Sequence, residues 1–248
     1  MMKKILLFIG MIVFIYFALY PIEVKLSDGS TYFGDLKDGL FDGYERQIWL
    51  TGDIYEGLYE NGMFNGKGKI TCKSYKYDGT FVDGLFNGEG SIVYSNGSSY
   101  IGNFKDGLYN GLGTLVDQSG NTYVGNFVNG IKTGEGYYAY INGDSYTGNF
   151  EQDMLNGKGI YKETNGNYYI GFFKNNLFNG EGKYITKQGV EYKGTFKDGN
   201  FPENYTKSKY SFLYFCTRIL FFISIILNVF FIISSKKRRS EKVLVAPE

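Results

Sequence analysis

Tyrosine and phenylalanine are the side chains this sequence uses in quantity: 24 Tyr and 22 Phe stand against one Trp in 248 residues. Such rings, with a polar tip on each tyrosine, suit stacking, peptide contact and recognition of cations or sugars when set at regular spacing. Carboxylates are also frequent, with Asp35, Asp38, Asp42, Glu45, Asp53, Glu56 and Glu60 close together near the start. A glycosidase needs two such groups across a cleft, so their chemistry depends on whether the fold builds one. Histidine is absent, which removes imidazole nucleophile activation, His-ligated zinc and an imidazole proton shuttle. Cys72 and Cys216 lie far apart in unlike surroundings, so they form neither a CxxC pair nor a disulfide framework. The reading expects no catalytic, cofactor-binding or metal-binding residues.

The elements that position the rings follow from their period. Tyr32, Tyr55, Tyr77, Tyr100, Tyr123, Tyr146, Tyr169 and Tyr192 recur every 22 or 23 residues, the mark of a repeat array. A glycine stands two places after each Tyr, and Phe stands two further in six of the eight copies, with Leu36 and Tyr59 in the others. Period two predicts a strand with one apolar face. Glycines at the eighth, twelfth and fourteenth places, and an Asn-Gly or Asp-Gly before the next Tyr, predict a hairpin followed by a second tight turn. These classes plus Gly10 account for all 35 glycines, leaving none for a phosphate-cradling loop. Asp153 and Asn176 replace the eighth-place glycine in two copies, as expected where the backbone needs positive φ.

The segment Tyr100-Ile101-Gly102-Asn103-Phe104-Lys105-Asp106-Gly107-Leu108-Tyr109-Asn110-Gly111-Leu112-Gly113 resembles a MORN repeat, Y-x-G-x-[FW]-x-x-G-x-x-x-G-x-G, and copies from Tyr55, Tyr77 and Tyr123 resemble it nearly as well. Residues 23–201 carry seven to eight such copies. The first departs at Glu45, where a glycine belongs, and the last ends at Phe201-Pro202-Glu203, which reads as a cap. The resemblance implies an all-β, elongated, single-layer antiparallel sheet of tandem hairpins without a catalytic centre. It also implies scaffold, partner-binding or membrane-organising roles.

Both ends read as membrane segments. Lys3 and Lys4 precede an apolar run from Ile5 to Tyr20, about 27 Å long if helical with its two following residues. Residues 1–22 are therefore a signal anchor or a signal peptide. Residues 202–209 read as a linker and 210–235 as a second transmembrane helix, since Ile219–Ile233 is nearly all apolar and precedes Lys236, Lys237, Arg238 and Arg239. Residues 236–248 then form a basic cytoplasmic tail. The positive-inside rule places both basic flanks in the cytoplasm and the repeat body across a plasma or inner membrane.

Residues 23–201 hold 16 Lys/Arg against 22 Asp/Glu, a balance of −6. Nucleic-acid binding is excluded on that charge, and anionic lipid is disfavoured. The expected function is a membrane-anchored, non-catalytic scaffold for an unknown protein partner, with homo- or hetero-oligomers expected. The candidate partner-binding residues are Tyr77, Phe81, Tyr100, Phe104, Tyr123, Phe127, Tyr146 and Phe150, the mid-array rings that must also stabilise the sheet. Phospholipid binding or membrane tethering is the alternative, followed by an envelope glycan-binding module.

Overall fold

The computed structural model describes residues 22–209. Apart from Ile22, the expected membrane segments 1–22 and 210–235 and the tail 236–248 lie outside the described residues. Among the described residues no helix is long and apolar enough to cross a membrane.

The chain forms β1 Glu23–Lys25, β2 Thr31–Phe33, β3 Leu36–Lys37, β4 Leu40–Phe41, β5 Gly43–Ile48, β6 Ile54–Glu60, β7 Met63–Thr71, β8 Tyr75–Val82, β9 Leu85–Tyr94 and β10 Ser99–Lys105. There follow β11 Leu108–Val116, β12 Thr122–Val128, β13 Ile131–Ala139, β14 Ser145–Glu151, β15 Met154–Lys162, β16 Tyr168–Lys174, β17 Leu177–Ile185, β18 Val190–Phe196 and β19 Thr206–Lys209. Among the described residues all pairings are antiparallel. β3 and β4 form their own two-stranded ladder, and the other seventeen strands make one sheet, on the order of 80 Å along its strand order.

Each hairpin closes through a turn whose two central residues have positive φ, for example Asp106 at 50° and Gly107 at 81°. Asp153 and Asn176 hold the glycine's place at 64° and 69°, so the substitutions follow the backbone requirement read from the sequence. A second pair of glycines serves close approach. At Gly102 an added Cβ would lie 2.6 Å from the Tyr100 hydroxyl and 2.6 Å from the Cα of Gly113 on the facing strand. The Tyr100 ring lies over this glycine pair, and its hydroxyl donates to the Asn103 carbonyl at 2.8 Å. The same hydroxyl-to-carbonyl bond recurs in the other copies from Tyr32 to Tyr169.

Two boundaries differ from the sequence reading. Thr206–Lys209 is a strand rather than linker: Lys193 pairs with Thr206 and Val190 with Lys209. Pro202 packs over Gly194, and Phe201 packs its ring against Tyr184, at a centroid distance of 5.0 Å, and Phe196, at 5.4 Å. The chain therefore folds back on the last hairpin and adds one more strand.

In the first copy, the Glu45 carboxylate fills the space above Gly34 and accepts the Asp35 N–H at 2.9 Å. The outer half of that hairpin leaves the main ladder as β3 and β4. Glu45 is 7% exposed. Desolvation, with help from the Asp35 charge, holds its pKa above the ordinary carboxylate value, although the Asp35 N–H bond opposes the shift. A raised carboxylate pKa contributes its full stability below the unfolded value, 4.5, and loses it as pH rises through the folded value. Local protection of the Gly34 and Asp35 amides from hydrogen exchange, corrected for intrinsic rates, should therefore fall as pH rises above 4.5 and through the folded value. Glu45→Gln should flatten that dependence, and unchanged pH dependence in this variant would remove Glu45 as its source.

Candidate functional site

The rings of each hairpin meet on one face of the sheet. Tyr100 stacks on Tyr109 at 3.8 Å and 12°, and Phe104 meets Tyr100 edge-on at 5.1 Å. The same Phe104 touches Tyr77 at 5.4 Å and Phe86 at 5.7 Å in the preceding copy, so each copy locks into its neighbour. Parallel stacks recur as Tyr32–Phe41, Tyr55–Phe64, Tyr77–Phe86 and Tyr169–Phe178, all at 3.8 or 3.9 Å.

The structure brings all eight sequence candidates together, and it buries them. Tyr77, Phe81, Tyr100, Phe104, Tyr123, Phe127, Tyr146 and Phe150 are 0–4% exposed. They are the core that a single-layer array needs, and a partner meets their rings only if the hairpins part. The surface available for binding is made of other residues.

Two features were missed in the sequence. In the fifth copy, the place of the stacking ring is taken by Lys132, whose ammonium lies 5.8 Å from the Tyr123 ring centroid and 3.3 Å from Asp153 Oδ1. The Lys132 N–H also donates to Asp153 at 3.0 Å. The only sequence signal was the coincidence of two departures, a lysine at the ring's place and an aspartate at the next copy's turn glycine.

The second feature is a row of tyrosines bonded to acids along one long edge of the ring-bearing face. Tyr138, Tyr161 and Tyr184 donate to Asp117 at 3.2 Å, Asp144 at 2.8 Å and Glu163 at 3.0 Å. Desolvation, reinforced by Asp117, pushes the Tyr138 pKa up to about 12. Asp117 is desolvated too, but donors from Asn121, Ser119 and Tyr138 hold it below the usual carboxylate value. The Thr164 N–H does the same for Asp144, aided by the Tyr161, Thr164 and Asn142 side chains. These acids are satisfied acceptors that staple one turn to the next.

The opposite face carries the sheet's exposed side chains. One row crosses six strands without a formal charge: Ile101, Thr114, Val124, Tyr137, Thr147 and Ile160 are successive cross-strand neighbours. Beside it, Leu112 is 59% and Phe172 40% exposed.

No curated protein matches the chain. Among solved structures, the chain is similar to the SAS-4 (dCPAP) TCP domain of Drosophila melanogaster, solved in complex with a proline rich motif of Ana2 (dSTIL). That match has 13% identity, 71% of this chain and 90% of that one covered, and a TM-score of 0.40. It is also similar to the TCP10 domain of Danio rerio CPAP in complex with a peptide of Danio rerio STIL, at 11% identity, 76% and 99% coverage and a TM-score of 0.27. Likeness at this level carries no inference about this chain. The MORN repeat pattern itself matches six consecutive segments, 55–75, 77–99, 100–122, 123–145, 146–168 and 169–190. These span more than half of the sequence, and the chain belongs to the MORN-repeat family.

Proposed function

We propose that this chain is a membrane-anchored, non-catalytic scaffold whose repeat body lies outside the cytoplasm and engages a protein partner. The observation that carries the reading is the union, in one chain, of a MORN array with an apolar run before it and another after it, each with its basic residues on the outer side. β19 ends at Lys209, immediately before the second run, so the array and that segment have almost no slack between them. β1 begins equally close to the first run. If both runs insert, a sheet of on the order of 80 Å is held at its two ends and lies along the bilayer, presenting its length to a partner. The −6 charge of residues 23–201 favours a protein over an anionic lipid surface as that partner.

Topology tests the reading directly. In sealed vesicles or intact cells, protease should cut a tag inserted near Asn142 and spare one placed after Glu248. The opposite pattern would move the body, and its partner, into the cytoplasm. Replacing residues 1–22 with a cleavable signal should leave the protein resistant to alkaline carbonate, whereas its release would remove 210–235 as an anchor.

A further inference from the structure

The face opposite the rings is self-complementary, and we infer that it is the contact between two copies of this chain packed back to back in opposite order. β12 runs through this face. Its Val124 lies in the uncharged row, which extends to Ser91 on β9 on one side and Ile170 on β16 on the other. A two-fold axis drawn along β12 between two such sheets sets each strand of one copy against the strand equally far from β12 in the other, and leaves each row facing itself.

Under that operation three charges of the face meet opposite charges, while Glu135 comes opposite Leu112 and Lys162 opposite Val93. Glu89, three strands before β12, faces Lys158, three strands after it. Lys105 on β10 faces Glu151 on β14, and Lys67 on β7 faces Glu181 on β17. Each relation occurs twice in a symmetric pair, because an isologous contact repeats every interaction. Leu108 and Ile131, 48% and 43% exposed, also come opposite each other. One like-charge relation results, Lys69 with Lys183. Each of those lysines already has a carboxylate in its own sheet, Asp78 at 3.0 Å and Glu191 at 3.1 Å.

Size agrees with a stable contact. The seven strands β9–β15 span about 34 Å, and strands of this length are about 23 Å long. That gives on the order of 800 Å² per copy, the usual contribution of one partner to a specific interface. The inference rests on the scaffold reading only for its expectation of an oligomer.

The test uses the full chain in detergent with Cys72→Ser and Cys216→Ser. Val124→Cys sits on the axis and should crosslink to itself through a short bismaleimide, whereas Gln188→Cys, on an exposed turn away from the face, should not. Lys158→Glu should weaken self-association at least tenfold by sedimentation, and adding Glu89→Lys should restore it. A chain that is monomeric at tens of micromolar overturns the proposal. So does a dimer that ignores Lys158→Glu and leaves Val124→Cys uncrosslinked. Either result with carbonate resistance and tag protection unchanged overturns the back-to-back pair alone and leaves the anchored scaffold standing.

Discussion

Phe104→Ala is expected to destabilise the array by about 3–5 kcal/mol, the range for removing a large ring from a packed core. The ring is 3% exposed and contacts rings of two successive copies. Its removal therefore opens a void at a junction between copies, where an array's cooperativity resides. Two of the neighbouring rings, Tyr100 and Tyr77, can collapse into the space only by breaking their hydroxyl bonds to Asn103 and Thr80. Denaturant unfolding of the full chain, followed by near-ultraviolet dichroism, reads the effect. Gln188→Ala, on an exposed turn away from the proposed contact, should stay within about 0.5 kcal/mol, as surface changes do. A Phe104→Ala melt as mild as the Gln188→Ala melt would mean that the ring is not core.

The ring-bearing face was legible because its requirements repeat. Tyr, Gly and Phe at period two, and Asp-Gly at the turn, impose the same local geometry in every copy, so one copy explains the rest. What was illegible lies where copies differ. Period two identifies an apolar face but does not say whether its rings are covered, so Phe104, read first as core, stood also among the binding candidates. Burial comes from the neighbouring copy, at Tyr77 and Phe86. The uncharged row on the opposite face has no motif: Ile101, Val124 and Thr147 each follow the repeat tyrosine, yet other copies place Glu56 or Asp78 there. Only register joins them into a surface. β19 escaped notice because Thr206-Lys207-Ser208-Lys209 has no apolar alternation. It pairs as an edge strand, where lysines are normal. Lys132 escaped because a lysine at a ring's place contradicts the repeat until Asp153 is seen beside it.

Gly102→Ala separates the two reasons this family carries so much glycine. At Gly102 the backbone is extended, and the added methyl meets the Gly113 Cα and the Leu112 carbonyl at 2.6 Å, as well as the Tyr100 hydroxyl. The first two are backbone atoms of the paired strand and move only if the ladder opens. The Tyr100 ring must also leave its stack with Tyr109. Overpacking of this kind costs about 3 kcal/mol. Gly107 is glycine for another reason: nothing lies within 4 Å of its place, but its φ is 81°. Alanine there bears only the left-handed strain, about 1–2 kcal/mol. Asparagine should bear less, since Asn176 occupies the same place at 69°. The expected order of stability is therefore wild type, Gly107→Asn, Gly107→Ala, then Gly102→Ala, by the same denaturant melts. If Gly102→Ala proved as mild as Gly107→Ala, the ring would not be pressed against the glycine pair, and the closeness of ring to backbone would no longer explain why both strands carry glycine there.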